Sequence, residues 1–210
     1  RGIWIDGGSM KVTIDSNTLF STRTGINLEE YSDTLRVVTG NDFTLAGTGI
    51  SLGSPVANTP IAITAIQDNV FEQVGTTFNF RNLNEDVSFN ALTTMNTVNG
   101  AGFVILTGSG NDTVTGGAGN DTINTGTGVD TVTYSGTPLT VTGVTGAFTV
   151  TSAAGGSDSL VGVEKIVSGA QTFLLVGNGG FATIQAAVAA AQDGQTIVVA
   201  SGTYSGVVTI

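Results

Sequence analysis

The chain has 210 residues, of which 16 are acidic and 6 basic, giving a formal net charge of -10. A phosphate-binding face needs clustered Lys and Arg, so the composition argues against a nucleic-acid partner. The chain contains neither cysteine nor histidine, which excludes disulfides, thiolate metal sites and catalysis by an imidazole base.

The first region, residues 1–97, is predicted to be rich in β-strands. Short runs of alternating apolar and polar residues recur, for example at residues 11–14, 35–38 and 77–80. Thr and Val favour strands, whereas the Gly, Asn and Asp residues between the runs favour tight turns. The pattern predicts many short strands, but it fits a solenoid and a sandwich equally well. No apolar run approaches the roughly 18 residues that suggest a membrane span, so no membrane insertion is predicted.

The second region, residues 98–176, contains a short internal repeat. Residues 107–133 consist of three nine-residue units, TGSGNDTVT, GGAGNDTIN and TGTGVDTVT. Each unit has Gly at its second and fourth places, Asp at its sixth and a β-branched residue at its eighth. The β-branched eighth places run on in strict register, through Val114, Ile123, Val132, Val141 and Val150. Because so short a unit cannot bury its apolar residue alone, successive units are predicted to stack as a parallel β-roll, a form of solenoid.

The aspartates of the repeat predict a calcium site. No Lys or Arg lies between Arg81 and Lys165, although seven carboxylates do. Ca²⁺ takes six to eight oxygen ligands from carboxylates and backbone carbonyls, and glycine lets a turn curl so that its carbonyls point inward. Magnesium fits less well, because it demands compact octahedral geometry.

The spacing of the repeat predicts which acids meet. Successive turns alternate between two sides of the stack, so every second turn lies on the same side, above the one before it. Asp112 and Asp130 are therefore predicted to close one complete site. Asp121 faces the opposite side and is predicted to form a weaker site, because Phe103 and Leu139 occupy the neighbouring acid places. The turn glycines assigned to these sites are Gly108, Gly110, Gly117, Gly119, Gly126 and Gly128.

These units resemble the calcium-binding nonapeptides of the RTX (repeats-in-toxin) family, GGxGxDxUx. Thr107 and Thr125 depart from the glycine at the first place. The stretch GGSDSLVGVEKI at residues 155–166, in which Asp158 restores the acid place, resembles a segment that often follows such repeats. The resemblance implies a bacterial protein that is exported unfolded by a type I secretion system and folded outside the cell by calcium. An extracellular or cell-surface location is therefore expected.

The third region, residues 177–210, is predicted to hold one short capping helix followed by strands. Ile184, Ala187, Val188 and Ala191 fall on one helical face, and the Asp193-Gly194 pair ends the helix. Residues 196–200 and 207–210 are predicted to be strands. The segment is similar to the N-terminal cap and first coil of pectate-lyase-like parallel β-helices, and no catalytic residue carries over from that resemblance.

Together these patterns predict a calcium-stabilised extracellular structural protein and not an enzyme. A surface layer, a fibre or a segment of a large adhesin would suit it, with cell-surface polysaccharide as a further partner. The alternative is an accessory module of a secreted polysaccharide-acting lyase or epimerase. A strand at residues 207–210 would offer an unpaired edge to a neighbouring molecule and so predicts self-association into a filament or layer. Truncation of a longer protein explains the same ending equally well.

Overall fold

The computed structural model of the chain describes residues 2–6, 12–29, 36–44, 46–53, 63–81, 88–89, 96–99, 102–116, 119–135, 138–152 and 156–209. Within these ranges the protein has 22 strands and one α-helix. Most of the strand pairs are parallel, so the predicted all-β solenoid is confirmed.

The N-terminal region winds as a parallel solenoid with three strands in each coil. Strands that follow one another in the chain belong to different sheets, and each pairs with the equivalent strand of the next coil. Over the described residues of 1–97, this arrangement is that of a solenoid and not of a sandwich. The ten strands are β1 (Ile3–Asp6), β2 (Val12–Asp15), β3 (Thr18–Phe20), β4 (Thr24–Glu29), β5 (Arg36–Thr39), β6 (Asp42–Thr44), β7 (Thr48–Gly53), β8 (Ile63–Gln67), β9 (Val70–Glu72) and β10 (Thr76–Arg81).

Equivalent positions of successive coils form the core. Ile26 of β4 pairs with Ile50 of β7, which pairs with Phe78 of β10, and all three are fully buried. On another side of the coil the rings of Phe43 and Phe71 stack with their centroids 4.8 Å apart. Alternation along each strand therefore sends one residue in two into a continuous apolar interior.

Four asparagines at one corner of the coils form an asparagine ladder, comprising Asn17, Asn41, Asn69 and Asn96. The Oδ1 atom of Asn69 accepts a hydrogen bond from the backbone N–H of Asn41, which lies 28 residues earlier, at 3.0 Å. The Nδ2 atom of Asn69 donates to the carbonyl oxygens of Val38 and Gln67, both at 3.0 Å. The amides of Asn41 and Asn69 thus satisfy backbone groups of two coils inside the protein.

Strands β11 (Ser88–Phe89) and β12 (Thr97–Asn99) belong to the coil that β10 begins, and β12 pairs in parallel with β9. Beyond β12 the coil shortens to two strands, and equivalent residues of successive coils are 18 residues apart. The strands of this part are β13 (Val104–Leu106), β14 (Thr113–Thr115), β15 (Thr122–Asn124) and β16 (Thr131–Tyr134). Strand β13 pairs in parallel with β15, and β14 pairs with β16, so that Val114 lies beside Val132. Val114, Ile123 and Val132 are fully buried. The predicted stacking of every second repeat unit is confirmed here.

After Tyr134 the chain leaves the path of the roll. Strands β17 (Leu139–Val144) and β18 (Ala147–Ser152) form an antiparallel hairpin in which Val141 pairs with Val150. The prediction that the repeat continues through these two valines is therefore wrong. A two-residue turn containing Gly146, whose φ is +90°, reverses the chain instead.

The chain then rejoins the roll. Strand β19 (Gly156–Val161) pairs in parallel with β15, and β20 (Lys165–Ser168) pairs in parallel with β16. Strand β21 (Gln171–Val176) runs antiparallel to β20. The last two acids of the region, Asp158 and Glu164, are in this way carried back to the roll.

The helix α1 (Ile184–Ala190) covers the last strands. Thr183 caps it by accepting a hydrogen bond from the N–H of Ala186, and Ala187 packs with Leu174 and Val176. Strand β22 (Thr196–Val199) pairs in parallel with β21.

The second strand predicted for the C-terminal segment does not form. Residues 207–209 are not a strand, and the N–H of Thr209 donates to the side chain of Gln185 instead of to a sheet. Ile210, the last residue of that predicted strand, lies outside the described residues.

Candidate calcium site

The glycine turns of the roll stack directly upon one another. Gly110 N–H donates to the carbonyl of Thr127, and Thr127 N–H donates to the carbonyl of Gly108, each at 3.0 Å. These bonds join the turn at residues 107–112 to the turn at residues 125–130. Every second turn therefore lies above the one before it on the same side, as the repeat predicts.

Only glycine allows this close stacking. At Gly126 a Cβ atom would overlap the carbonyl oxygen of Gly108, and at Gly128 it would overlap that of Gly110. Gly128 also has a φ of +153°, which disfavours any side chain. The pattern of glycines thus places backbone carbonyls of one turn against the backbone of the next. Among the other predicted glycines, Gly119 also has a positive φ, whereas Gly117 lies outside the described residues.

The acids of one side form a first acid ladder, comprising Asp112, Asp130 and Glu164. The Oδ1 atom of Asp130 accepts from the backbone N–H of Asp112 at 2.7 Å. The Oε2 atom of Glu164 accepts from the N–H of Asp130 at 2.7 Å. All three side chains are buried. The structure therefore places Asp112 and Asp130 on adjacent turns and adds Glu164 as the next member.

The opposite side carries a second acid ladder, comprising Asp121 and Asp158. The Oδ1 atom of Asp121 accepts from the N–H of Phe103 at 2.8 Å, and Oδ1 of Asp158 accepts from the N–H of Asp121 at 2.7 Å. Leu139 does not follow Asp121, contrary to the prediction, because the β17–β18 hairpin takes it out of the coil. Asp158, which is 37 residues along the chain from Asp121, lies there instead.

Burial makes these carboxylates reluctant to ionise in the protein without metal. Desolvation raises the pKa of Asp121 to about 7, although the hydrogen bond from Phe103 opposes the shift. It raises the pKa of Glu164 to about 7 and that of Asp158 to about 6 in the same way. A cation at these ladders would reverse the effect by compensating the negative charge.

The donor set suits a hard cation. The Oδ2 atom of Asp121 is buried and receives no hydrogen bond from the described residues. Carboxylate oxygens next to stacked backbone carbonyls are the ligands that Ca²⁺ prefers. No group of three or more His, Cys, Asp or Glu gathers among the residues that the structure places. A bound ion would therefore draw on carbonyl oxygens of the glycine turns as well as on paired acids.

Sequence reasoning missed two residues of the site. Tyr134 donates a hydrogen bond from its hydroxyl to Oδ2 of Asp158 at 2.7 Å, and Glu164 completes the first ladder. The sequence around Glu164 indicates its role, because Glu164 follows Gly162-Val163 and lies two residues before Ile166. The Asp of each repeat unit likewise lies two residues before its β-branched residue. For Tyr134 the signal is its place two repeat units after Gly116, where a glycine of the repeat would be expected.

Comparison with known families agrees with the repeat. Residues 104–132 match the model of the RTX calcium-binding nonapeptide repeat (4 copies), so the resemblance to this family is confirmed. Such repeats bind Ca²⁺, and the matched range contains Asp112, Asp121 and Asp130. The comparisons with curated proteins and with solved structures gave no match, and the resemblance of residues 177–210 to pectate-lyase-like folds stays a prediction. None of the described helices is long and apolar enough to cross a membrane.

Proposed function

We propose that this chain is a calcium-stabilised structural segment of an extracellular bacterial protein, whose β-roll folds when Ca²⁺ binds. The observation that carries the proposal is the pair of acid ladders between stacked glycine turns. Asp112, Asp121 and Asp130 are each at most 1% exposed, and the Oδ2 atom of Asp121 is buried with no donor from the described residues. A cation explains why such groups occur in a core.

The energetics favour folding that is coupled to metal binding. An ionised carboxylate costs several kcal/mol or more to bury when no opposite charge compensates it. The sequence supplies no Lys or Arg between Arg81 and Lys165. A divalent ion between adjacent turns compensates two acids and ties two coils together. Its binding free energy then contributes to the folding of the roll.

An extracellular location follows from the same coupling. Calcium is scarce inside cells and abundant outside, so a chain that needs it stays unfolded until it is exported. Type I secretion, which carries unfolded chains, suits such a protein. The absence of cysteine agrees with a fold that metal and not disulfides stabilise.

A structural role suits the rest of the molecule better than catalysis does. Imidazole and thiolate chemistry is excluded by the composition, and the acids of the roll are buried against backbone. The solenoid itself is a rod that other β-structure can extend. We therefore place the chain in a surface layer, a fibre or a large adhesin, with surface polysaccharide as a further ligand.

Self-association belongs to this proposal. Among the strands that the structure describes, β22 is the outermost of its sheet, and exposed strand edges recruit other strands. Val199 of β22 is 39% exposed, and Val144 at the end of the neighbouring β17 is 44% exposed. Apolar side chains beside a strand edge favour contact with another β-rich molecule, and a head-to-tail contact of this kind propagates.

The decisive experiment is a calcium titration of metal-depleted protein followed by far-ultraviolet circular dichroism. We expect strand signal to rise with Ca²⁺ and not with Mg²⁺ at equal concentration. A protein that keeps its full strand content in chelator would refute the proposal. Electron microscopy of the calcium-loaded sample tests assembly, because filaments or sheets support a structural role. Monomers that cleave uronate polymers would support the alternative, a module of a polysaccharide-acting enzyme.

A further inference from the structure

The two oxygens of Asp158 have different surroundings from those of Asp121. In both residues Oδ1 accepts a backbone N–H from the preceding coil. The Oδ2 atom of Asp121 receives no hydrogen bond from the part of the chain that the structure describes. The Oδ2 atom of Asp158 accepts from the Tyr134 hydroxyl at 2.7 Å. Asp158 is therefore satisfied by protein groups at both oxygens, whereas Asp121 is not.

Tyr134 occupies a place that belongs to a glycine turn. Thr133 pairs with Thr115, so Tyr134 is in register with Gly116, the first residue of the second repeat unit. A Cβ atom at Gly116 would overlap the ring of Tyr134, so the ring lies directly on this glycine. After Tyr134 the chain enters the β17–β18 hairpin and returns at Gly156, where a Cβ atom would overlap the carbonyl oxygen of Gly119. The aromatic ring thus lies over the start of the second unit's turn, and Asp158 lies over its end.

The hydroxyl is well suited to this position. Tyr134 is 6% exposed and Asp158 is 2% exposed. Burial, followed by the negative charge of Asp158, raises the pKa of Tyr134 above its ordinary value. The phenol therefore keeps its proton at neutral pH and acts as a hydrogen-bond donor. A buried donor to a carboxylate is a strong, charge-assisted interaction.

From this geometry we infer that the Tyr134 hydroxyl takes the place of a cation at Asp158, so that the second acid ladder ends without metal. The inference rests on the proposed function, because it assumes that the other acids of the roll bind calcium. Its consequence is a roll with two kinds of closure. Calcium binds at the other acids of the roll, and the Tyr134 hydroxyl closes the second acid ladder at Asp158.

The number of calcium ions bound by each chain tests the inference. We would measure it by equilibrium dialysis for the wild-type protein and for Tyr134→Phe. Removing the hydroxyl frees Oδ2 of Asp158 for a cation, so the variant should bind one ion more than the wild type. Tyr204→Phe is the matched control, because Tyr204 donates from its hydroxyl to the backbone carbonyls of Val176 and Ala200. It should leave the number unchanged.

Asp158→Asn provides a second measurement that does not depend on Tyr134→Phe folding. If no cation binds at Asp158, this variant should bind as many ions as the wild type. In the double variant Tyr134→Phe with Asp158→Asn, the additional ion should disappear.

A lower number in Tyr134→Phe or in Asp158→Asn would overturn the inference, because the residue would then belong to a metal site. An unchanged number in Tyr134→Phe would overturn it too. If the wild-type protein binds calcium, either of these results leaves the proposed function unaffected. A wild-type protein that binds no calcium refutes both.

Discussion

The asparagine ladder and the acid ladders perform the same backbone task with different chemistry. In the three-stranded coils, Oδ1 of Asn69 accepts from the N–H of Asn41. In the roll, Oδ1 of Asp130 accepts from the N–H of Asp112, again one coil earlier. Asparagine also has an Nδ2 donor, which satisfies carbonyls of two coils. Aspartate has no donor and carries a charge when ionised, so in the proposed function a cation compensates the acid ladders, whereas the asparagine ladder is neutral.

The comparison also explains the different lengths of the coils. The asparagine ladder joins coils of 24 to 28 residues, which leave room for three strands and a broad core of Phe and Ile. The repeat units of the roll form coils of 18 residues with two strands, and the buried β-branched residues of β13 to β16 are Ile105, Val114, Ile123 and Val132. A narrow coil buries less apolar surface, so metal has more to contribute to its stability.

The largest loss of stability is expected from Gly128→Ala, which changes a turn of the roll and does not touch the asparagine ladder. Its Cβ atom would overlap the carbonyl oxygen of Gly110, so the calcium-bound turn stack should be lost. Gly146→Ala is the matched control, because Gly146 also has a positive φ but has open space around it. Backbone strain alone should cost about 1–3 kcal/mol there. Thermal unfolding in the presence of calcium measures the stability of both variants. Equal losses of stability in Gly128→Ala and Gly146→Ala would contradict the close stacking of the turns.

A substantial loss of stability is also expected when an aspartate replaces an asparagine of the asparagine ladder. Asn69→Asp places a carboxylate against the carbonyl oxygens of Val38 and Gln67. The variant should lose about 3 kcal/mol or more of unfolding free energy in urea, and added calcium should not restore it. Asn17→Asp, at the half-buried end of the ladder, should lose less because water reaches the charge. Rescue of Asn69→Asp by calcium would contradict the comparison.

The reverse exchange, Asp130→Asn, should have opposite effects with and without metal. The amide oxygen can still accept from the N–H of Asp112, but the charge is gone. We expect calcium affinity to fall at least about tenfold, the lower limit for changes around metal ligands. In metal-depleted buffer the variant should instead be more stable than the wild type, because no charge is buried.

The matched control for this exchange is Asp68→Asn on an exposed turn. It should change neither calcium affinity nor metal-free stability. If Asp130→Asn were destabilised equally with and without calcium, the role of the carboxylate would be structural and not that of a metal ligand. Calorimetric titration measures the calcium affinity, and the strand signal of metal-depleted protein in circular dichroism measures the metal-free stability.

The smallest effect concerns pH. Burial raises the pKa of Asp121 from an ordinary 3.8 to about 7 in the metal-free fold. A group with a raised folded pKa adds stability that is complete below its unfolded pKa and is lost as pH rises through its folded pKa. The metal-free roll should therefore be more stable at pH 5 than at pH 8.

The measurement is the strand signal of metal-depleted protein in far-ultraviolet circular dichroism at these two pH values, made without chelator. Asp121→Asn should reduce the difference between the two signals, since the amide does not titrate. With calcium present the trend should reverse, because protons then compete with the ion. A strand signal that rises with pH in the absence of metal would contradict the raised pKa of Asp121.

Much of the roll was determined by the sequence alone. The nine-residue spacing placed Val114, Ile123 and Val132 in the core and put Asp112 below Asp130, because local turn chemistry and a fixed period leave few ways to stack. The match of residues 104–132 to the calcium-binding repeat confirms that interpretation of the pattern. A periodic segment can be predicted because each unit repeats the environment of the one before.

Tertiary structure decided what happens where the period fails. Val141 and Val150 keep the spacing of the repeat, yet they pair with each other in an antiparallel hairpin. That excursion brings Asp158 beside Asp121, which is 37 residues away and does not follow from the spacing. In the N-terminal region, irregular coils of 24, 28 and 27 residues hid the asparagine ladder. Which distant strands pair depends on the lengths of all the loops between them. These pairings are therefore seen only in the tertiary structure.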